Sequence, residues 1–170
     1  EKGIVKGIVA SGGTACILGV LPTPGVAYLT KHLRAGAGIV ISASHNPADY
    51  NGFKVFSSQG FKLSEAEETE MEDLMLSEQI AGTHDSQGGV DIIHDARRYY
   101  AEFALASLPG KVSFDEMKVV LDCANGAMSE VAPTLFEGIG ARTETLFAAP
   151  DGKNINLNCG SEHTQPLREK

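Results

Sequence analysis

The chain has 170 residues, with 14 Lys+Arg against 22 Asp+Glu and a formal charge of −8 at pH 7. Hydrophobic residues make up 42% and charged residues 21%, a globular balance that excludes wholesale disorder, and the acidic excess argues against a nucleic-acid partner. The length suits one large domain or two small ones. No apolar run is long enough to cross a bilayer, so no membrane partner is expected. The start, Glu1-Lys2-Gly3-Ile4-Val5-Lys6, lacks the uninterrupted apolar core of a signal peptide. Cys16, Cys123 and Cys159 are odd in number, far apart and outside any C-x-x-C spacing, which points to reduced thiols in a cytoplasmic protein.

Taken in chain order, Gly3 to Val9 spaces its apolar residues as a helix would, with Gly12-Gly13 as the C-cap. Thr14 to Val20 is a short apolar run between glycine and Pro22, the pattern of a buried strand. Pro24 suits a helix first turn, and Val26, Leu29 and Leu33 recur at helical spacing. Gly38 to Ser42 is a second buried strand, and strand–helix–strand with short loops predicts a βαβ unit with a parallel pair. Phe53 to Phe56 reads as a third strand. Ser64 and Glu67 form a capping box for a helix whose buried stripe is expected at Met71, Leu74 and Met75. Ala81 to Gly89 reads as a surface loop, and a helix from about His94 to Leu108 is expected to bury Tyr99, Phe103 and Ala106. The pattern then restarts with a strand at Lys118–Asp122, a helix from Met128 to Gly138 and a strand at Thr143–Phe147. The expected fold is therefore α/β, with mixed sheets flanked by helices, divided into residues 1–95 and 96–170.

The densest chemistry lies at Ser42-Ala43-Ser44-His45-Asn46-Pro47-Ala48-Asp49-Tyr50-Asn51-Gly52-Phe53-Lys54. This run leaves the C-terminal end of a predicted strand, where open α/β sheets place their ligands. Pro47 pushes Asn46 out of the helical region, and Asn51-Gly52 suits a tight turn. A hydroxyl beside an imidazole, with Lys54 returning on the next strand, fits phosphoryl or acyl transfer at Ser44. By spacing alone, the commoner role for Ser44 and His45 is that of loop polar groups that bond to backbone.

The segment Ser42–Lys54 resembles the active-serine loop of the α-D-phosphohexomutases, whose hallmark is Ser/Thr-Ala-Ser-His-Asn-Pro followed by an Asn-Gly-φ-Lys turn. Pro22-Thr23-Pro24, Val120 to Ala127, and Gly152-Lys153-Asn154-Ile155-Asn156 with Cys159-Gly160-Ser161 are similar to further family segments. Gly38–Ser44 and Asp122–Ala127 look most like the branch that acts on glucosamine phosphates. Asp49–Lys54 is closer to the mannose and glucose phosphate branch.

The resemblance implies that Ser44 carries a phosphoryl group, passes it to a hexosamine or hexose phosphate to give a bisphosphate, and takes the other phosphoryl back. It implies His45 and Lys54 as acid/base or electrostatic helpers, Asn46 and Lys54 as substrate-binding residues, and Mg²⁺ held by the Ser44 phosphate with aspartates of another loop. A homodimer is implied for the full-length protein.

No Asp-x-Asp occurs in the chain, so the family's Asp-Gly-Asp-x-Asp-Arg metal loop is missing. Missing too are its sugar-recognition loop, its Arg-x-Ser-Gly-Thr-Glu phosphate clamp and its N-terminal Gly-Thr-x-Gly-x-Arg segment. The expectation is a fragment, most of domain 1 and the start of domain 2, that alone does not catalyse the reaction. A non-catalytic phosphosugar-binding or oligomerisation module is the alternative. A serine acyl hydrolase fits less well, because there is no Gly-x-Ser-x-Gly elbow. For Asp122, a bond to the turn that follows is the expected role, and Asn125-Gly126 is expected to serve packing rather than phosphate binding. His84, His94 and His163 read as solvated or structural.

Overall fold

A computed structural model describes residues 1–77, 88–110 and 112–170. Its first element, α1 (Lys2–Ala10), stops where the glycine pair predicts. Gly12 takes φ +82°, the amide of Gly12 donates to Val9 O at 3.0 Å and that of Gly13 to Ile8 O at 2.9 Å, a complete Schellman cap. The chain continues through β1 (Thr14–Ile17), α2 (Thr23–His32), β2 (Ala37–Ile41), β3 (Phe53–Ser57) and α3 (Glu65–Leu76). Then follow β4 (Gly89–Ile92), α4 (Ala96–Ala106), β5 (Lys118–Asp122), α5 (Val131–Gly138), β6 (Arg142–Leu146) and α6 (Gln165–Arg168). The class is α/β as expected, with small parallel and antiparallel sheets flanked by helices.

The strand pairing differs from the simple βαβ expectation. β2 does not pair with β1. It pairs antiparallel with β3, from Ala37 opposite Ser57 to Ile41 opposite Phe53. The connection from β2 to β3 is shorter than the one from β1 through α2 to β2, so closing it costs somewhat less chain entropy. β1 instead takes β4 as its parallel partner, Thr14 opposite Gly89 through Ile17 opposite Ile92. That strand falls at the edge of the segment read as a loop, most of which lies outside the described residues, as does His84. β4 can lie flush because a side chain at Gly88 would run into the carbonyl oxygens of Gly13 and Val9.

One core sits under the first sheets. Val26, Leu29 and Thr30 are buried on one face of α2, with Leu33 packed beside them, against Val40 of β2, Phe56 of β3 and Ala96 at the start of α4. Leu29 is completely inaccessible; burying such a side chain contributes about 1.5–3 kcal/mol. The Thr30 hydroxyl donates to Val26 O at 2.8 Å, so its burial leaves no orphaned polar group.

Two predicted stripes are not buried. In α3, Leu74 and Met75 are at least half exposed, Met71 is half-buried and no residue is fully buried. The apolar positions are confined to its last turns among six acidic residues, too short a face to dock. The helix relies on its capping box: Ser64 N–H donates to Glu67 Oε2 at 2.8 Å, and Glu67 N–H donates back to Ser64 Oγ at 3.4 Å. In α4 the buried contact is Ala96, with Tyr99 and Tyr100 half-buried, whereas Phe103 and Ala106 are exposed. The first turns of α4 meet the core. Farther along, Phe103 only covers the outer face of Tyr28, with ring centroids 3.9 Å apart and planes at 14°.

The later strands pair as predicted. β5 and β6 are parallel, Lys118 opposite Arg142 through Asp122 opposite Leu146, with Val131 and Ala132 of α5 buried. The helix begins at Val131, since Ala124 to Glu130 are taken up by turns. Arg97 of α4 ion-pairs with Glu130, joining the two halves.

Two glycines are expected to respond oppositely to alanine. At Gly38 an added Cβ collides with the buried Thr30 hydroxyl, so Gly38→Ala is expected to cost about 1–3 kcal/mol. At Gly7, exposed in α1 with nothing within 4 Å, alanine is expected to stabilise by about 0.5–1 kcal/mol through helix propensity. Thermal denaturation followed by circular dichroism checks both signs. A pH effect follows from Glu144, which hydrogen-bonds Lys118 at 2.8 Å and Lys170 at 2.7 Å; these bonds hold its carboxyl at about 2, below the usual 4.5. A depressed folded pKa gives stability above the unfolded value, lost as pH falls from 4.5 toward 2. The acid-side drop in melting temperature should be shallower in Glu144→Gln, and about 1 M salt should erase the difference because both lysine partners are exposed.

Candidate active site

The predicted catalytic loop spans the turn between β2 and β3, and its base is tied by Ser42 N–H donating to Gly52 O at 2.9 Å. Within it, Asn46 N–H donates to Ala43 O at 3.2 Å and Tyr50 N–H to Pro47 O at 3.0 Å. Gly52 N–H donates to Asn51 Oδ1 at 2.9 Å. Ser44 adopts φ +59° and its amide donates to Ser42 Oγ at 3.1 Å. A left-handed serine costs about 1–2 kcal/mol and persists only where surrounding bonds over-determine it. The result is an exposed hydroxyl held at the crest of a bonded turn.

His45 and Asn46 are exposed on the same loop, and Lys54 lies on β3 opposite Val40. Among the described residues, no hydrogen bond or ion pair joins the side chains of Ser44, His45 and Lys54. The strand and loop bring these residues to one end of the β2–β3 pair but do not preassemble them into a triad.

The second half of the chain contributes to this loop directly. The Asp122 carboxylate, at the end of β5, accepts from Ala124 N–H at 2.9 Å and from Gly160 N–H at 2.8 Å. Its role is structural, as its strand-end position predicts. Gly160 has φ +75°, and an added Cβ would lie 2.8 Å from that of Ala124. Asn125 is buried and bonds Asn154 O at 3.3 Å and Ala149 N–H at 3.1 Å, which makes the Asn125-Gly126 turn a packing device. The amide of Asn156 then donates to Ala124 O at 2.9 Å. Its side-chain Nδ2 donates to Asn46 O at 3.0 Å and Ser44 O at 3.4 Å.

Motif reading alone treats Asn156 as one letter of a matched segment and misses this contact. The available signal is the alternation Asn154, Asn156, Asn158, since asparagine is enriched at left-handed backbone positions. Asn156 has φ +58° and Asn158 φ +54°. A cleft of about 420 Å³ separates Pro47–Asp49 from this loop, with Lys153, Asn156 and His163 on its far wall.

The remaining chemistry is quiet. Cys123 and Cys159 are buried, and burial, reinforced by the Asp122 carboxylate, pushes both thiols up, away from nucleophilic use. His94 and His163 are exposed, as expected of solvated groups. Among the described residues, no three His, Cys, Asp or Glu side chains converge on a metal position. A neutral serine hydroxyl is a poor lone ligand for Mg²⁺, so these residues do not by themselves fit the ion that the family resemblance implies. No helix among them is long and apolar enough to cross a membrane.

The chain has recognisable relatives among known proteins. Residues 1–82 match the family model described as Phosphoglucomutase/phosphomannomutase, alpha/beta/alpha domain I. The chain is 48% identical over 170 residues to phosphoglucosamine mutase of Syntrophus aciditrophicus, covering 98% of this chain and 38% of that protein. It is 45% identical over 168 residues to phosphoglucosamine mutase of Pseudomonas entomophila, covering 99% and 38%. It thus spans about two-fifths of the length of these relatives. Among solved structures, a phosphoglucomutase/phosphomannomutase family protein from Burkholderia thailandensis superposes with a TM-score of 0.80 at 22% identity, covering 98% of this chain and 37% of that one. N-acetylglucosamine-phosphate mutase in its substrate complex, a member of the alpha-D-phosphohexomutase superfamily, gives 0.50 at 12% identity, covering 86% and 41%.

The Asp122 anchor is open to a direct test. Asp122→Ala strands two amides that the carboxylate now satisfies, and is expected to cost about 1–3 kcal/mol. Asp122→Asn keeps one acceptor oxygen and should fall between the two. Chemical denaturation midpoints distinguish the three proteins.

Proposed function

We propose that this chain belongs to the α-D-phosphohexomutase family and supplies the phosphoserine loop of a phosphoglucosamine mutase. The proposed reaction interconverts glucosamine 6-phosphate and glucosamine 1-phosphate. The observation that carries the reading is the exposed Ser44 hydroxyl, fixed in a left-handed turn within a Ser-Ala-Ser-His-Asn-Pro loop. The 44–48% identity of curated phosphoglucosamine mutases along nearly the whole chain supports the choice of sugar.

In this reading the phosphoryl group on Ser44 is attacked by the free hydroxyl of the sugar phosphate. The bond to Ser44 Oγ breaks, the new ester forms, and a bisphosphate results. After the bisphosphate turns over in the site, Ser44 Oγ attacks the other phosphoryl group and the isomeric monophosphate leaves. A proton moves off the attacking hydroxyl and onto the departing oxygen at each transfer. His45 and Lys54 are the groups available for it, and the Lys54 ammonium also neutralises phosphate charge. Asn46 shapes the loop and lies beside the substrate. Such chemistry depends mainly on alignment and charge neutralisation, which suits a backbone-bonded loop followed by a lysine on the next strand.

Mg²⁺ belongs to the proposal as an ion held through the Ser44 phosphate, with carboxylate ligands contributed from outside these 170 residues. The same reading takes 1–95 and 96–170 as parts of successive domains. It is supported by strand ladders that stay within each part. It also includes a cytoplasmic enzyme, dimeric at full length, in amino-sugar and cell-wall precursor synthesis. A phosphomannomutase/phosphoglucomutase is the second reading, favoured by the Asp49-Tyr50-Asn51-Gly52-Phe53-Lys54 portion.

Intact mass after incubation of the full-length protein with hexose bisphosphate should reveal one added phosphoryl group, absent in Ser44→Ala. Loss of mutase activity in Ser44→Ala is expected to exceed 10³-fold, roughly the scale of removing a covalent catalyst. An unmodified wild-type serine in an active enzyme would overturn the reading. The 170-residue chain alone is expected to show no isomerisation of glucosamine phosphate.

A further inference from the structure

We propose that Asn156 is a positioning residue for Ser44, through which the second half of the chain sets the conformation of the catalytic loop. The inference deepens the phosphoserine reading and, for its catalytic consequence, rests on it. Asn156 faces two ways. Its backbone amide is bonded to Ala124 O at 2.9 Å, in the turn that Asp122 braces. Its carboxamide donates to the carbonyls of Asn46 and Ser44, at 3.0 and 3.4 Å. Those two peptides bracket His45 and Asn46 just after the left-handed serine, so they constrain the backbone from which Ser44 Oγ projects.

Within the loop, Ser44 itself has only its amide bond to Ser42 Oγ. A serine at φ +59° tends to relax into the right-handed or extended basins, which are lower in energy. The carboxamide opposes that relaxation by bonding carbonyls that would turn away from it. Because Asn156 is itself left-handed, glycine can replace it without backbone strain and removes only the carboxamide. Asn158 is also left-handed, in the same loop, yet makes no bond to the Ser44 turn. It provides the matched control.

The test compares wild type, Asn156→Gly, Asn156→Asp and Asn158→Gly in the full-length protein. Amide hydrogen exchange at residues 44–46 reads the loop without reference to activity. Asn156→Gly should lower protection there about tenfold, the scale of one lost hydrogen bond. Asn156→Asp should lower it at neutral pH and recover part of it in acid, where the protonated carboxyl again donates. Asn158→Gly should leave it unchanged. In the mutase assay Asn156→Gly should lower kcat about 10- to 100-fold with little change in KM, as expected when a reacting atom is displaced by about 1 Å.

Unchanged protection in Asn156→Gly overturns the proposal, and so does an equal loss in Asn158→Gly, which would mean general loosening of the loop. If Asn156→Gly does not fold, the acid recovery of Asn156→Asp decides: its absence overturns the proposal. A wild-type Ser44 that never carries phosphate defeats the functional reading alone, because the exchange arm still decides the role of Asn156.

Discussion

The Asp122 carboxylate is the constraint on which the rest of the site depends. One oxygen holds the Ala124 amide and the other holds the Gly160 amide, so a single side chain at the end of β5 pins both the turn that follows the strand and a loop nearly forty residues later. Half-buried and bonded by two donors, it replaces the hydration that an aspartate at a strand end otherwise keeps. With both segments drawn to one point, the backbone can sustain left-handed angles at Ala124, Asn125, Asn156 and Gly160. Those angles aim the Asn156 carboxamide at the serine loop.

The loop is held from two sides by different physics. From below, the apolar contacts of Leu29, Val40 and Phe56 fix the β2–β3 pair from which it emerges. That support is non-directional and sets the height of the loop. From above, directional hydrogen bonds from Asn156 set its conformation. A hydroxyl that must meet a phosphoryl group in line needs both, since packing alone leaves rotations of the turn uncosted. The absence of side-chain bonds among Ser44, His45 and Lys54 is consistent with this division, because it is the backbone that the structure fixes at this end of the sheet.

Legibility in the sequence followed the range of the interactions. The Schellman cap at Gly12-Gly13 and the Ser64–Glu67 capping box were readable because each is settled within a few residues, and the β5–α5–β6 order because its elements follow one another directly in the chain. Of the stripe expected at Met71, Leu74 and Met75, only Met71 is even half-buried, since helical spacing does not say whether another surface is there to cover it. Phe103 failed for the same reason: the approach of α4 to the core is set by Ala96. The exchange of partners, with β4 rather than β2 beside β1, depends on the close approach of Gly88 to Gly13, a contact between distant residues that no local pattern encodes.

By itself the sequence determined the fold class, the loop from Ser42 to Lys54 and the residue types that chemistry at Ser44 requires. These follow from local propensity, hydrophobic period and a long motif whose members are adjacent in the chain. Only the tertiary structure decided how β1 to β4 pair, which apolar faces stay exposed, and that Asn156 reaches the serine loop. Each of those outcomes depends on groups far apart in the chain meeting within hydrogen-bond or van der Waals distance. The hydrogen bond from Asn156 to the Asn46 carbonyl spans 110 residues, and its existence rests on a carboxylate that binds only backbone.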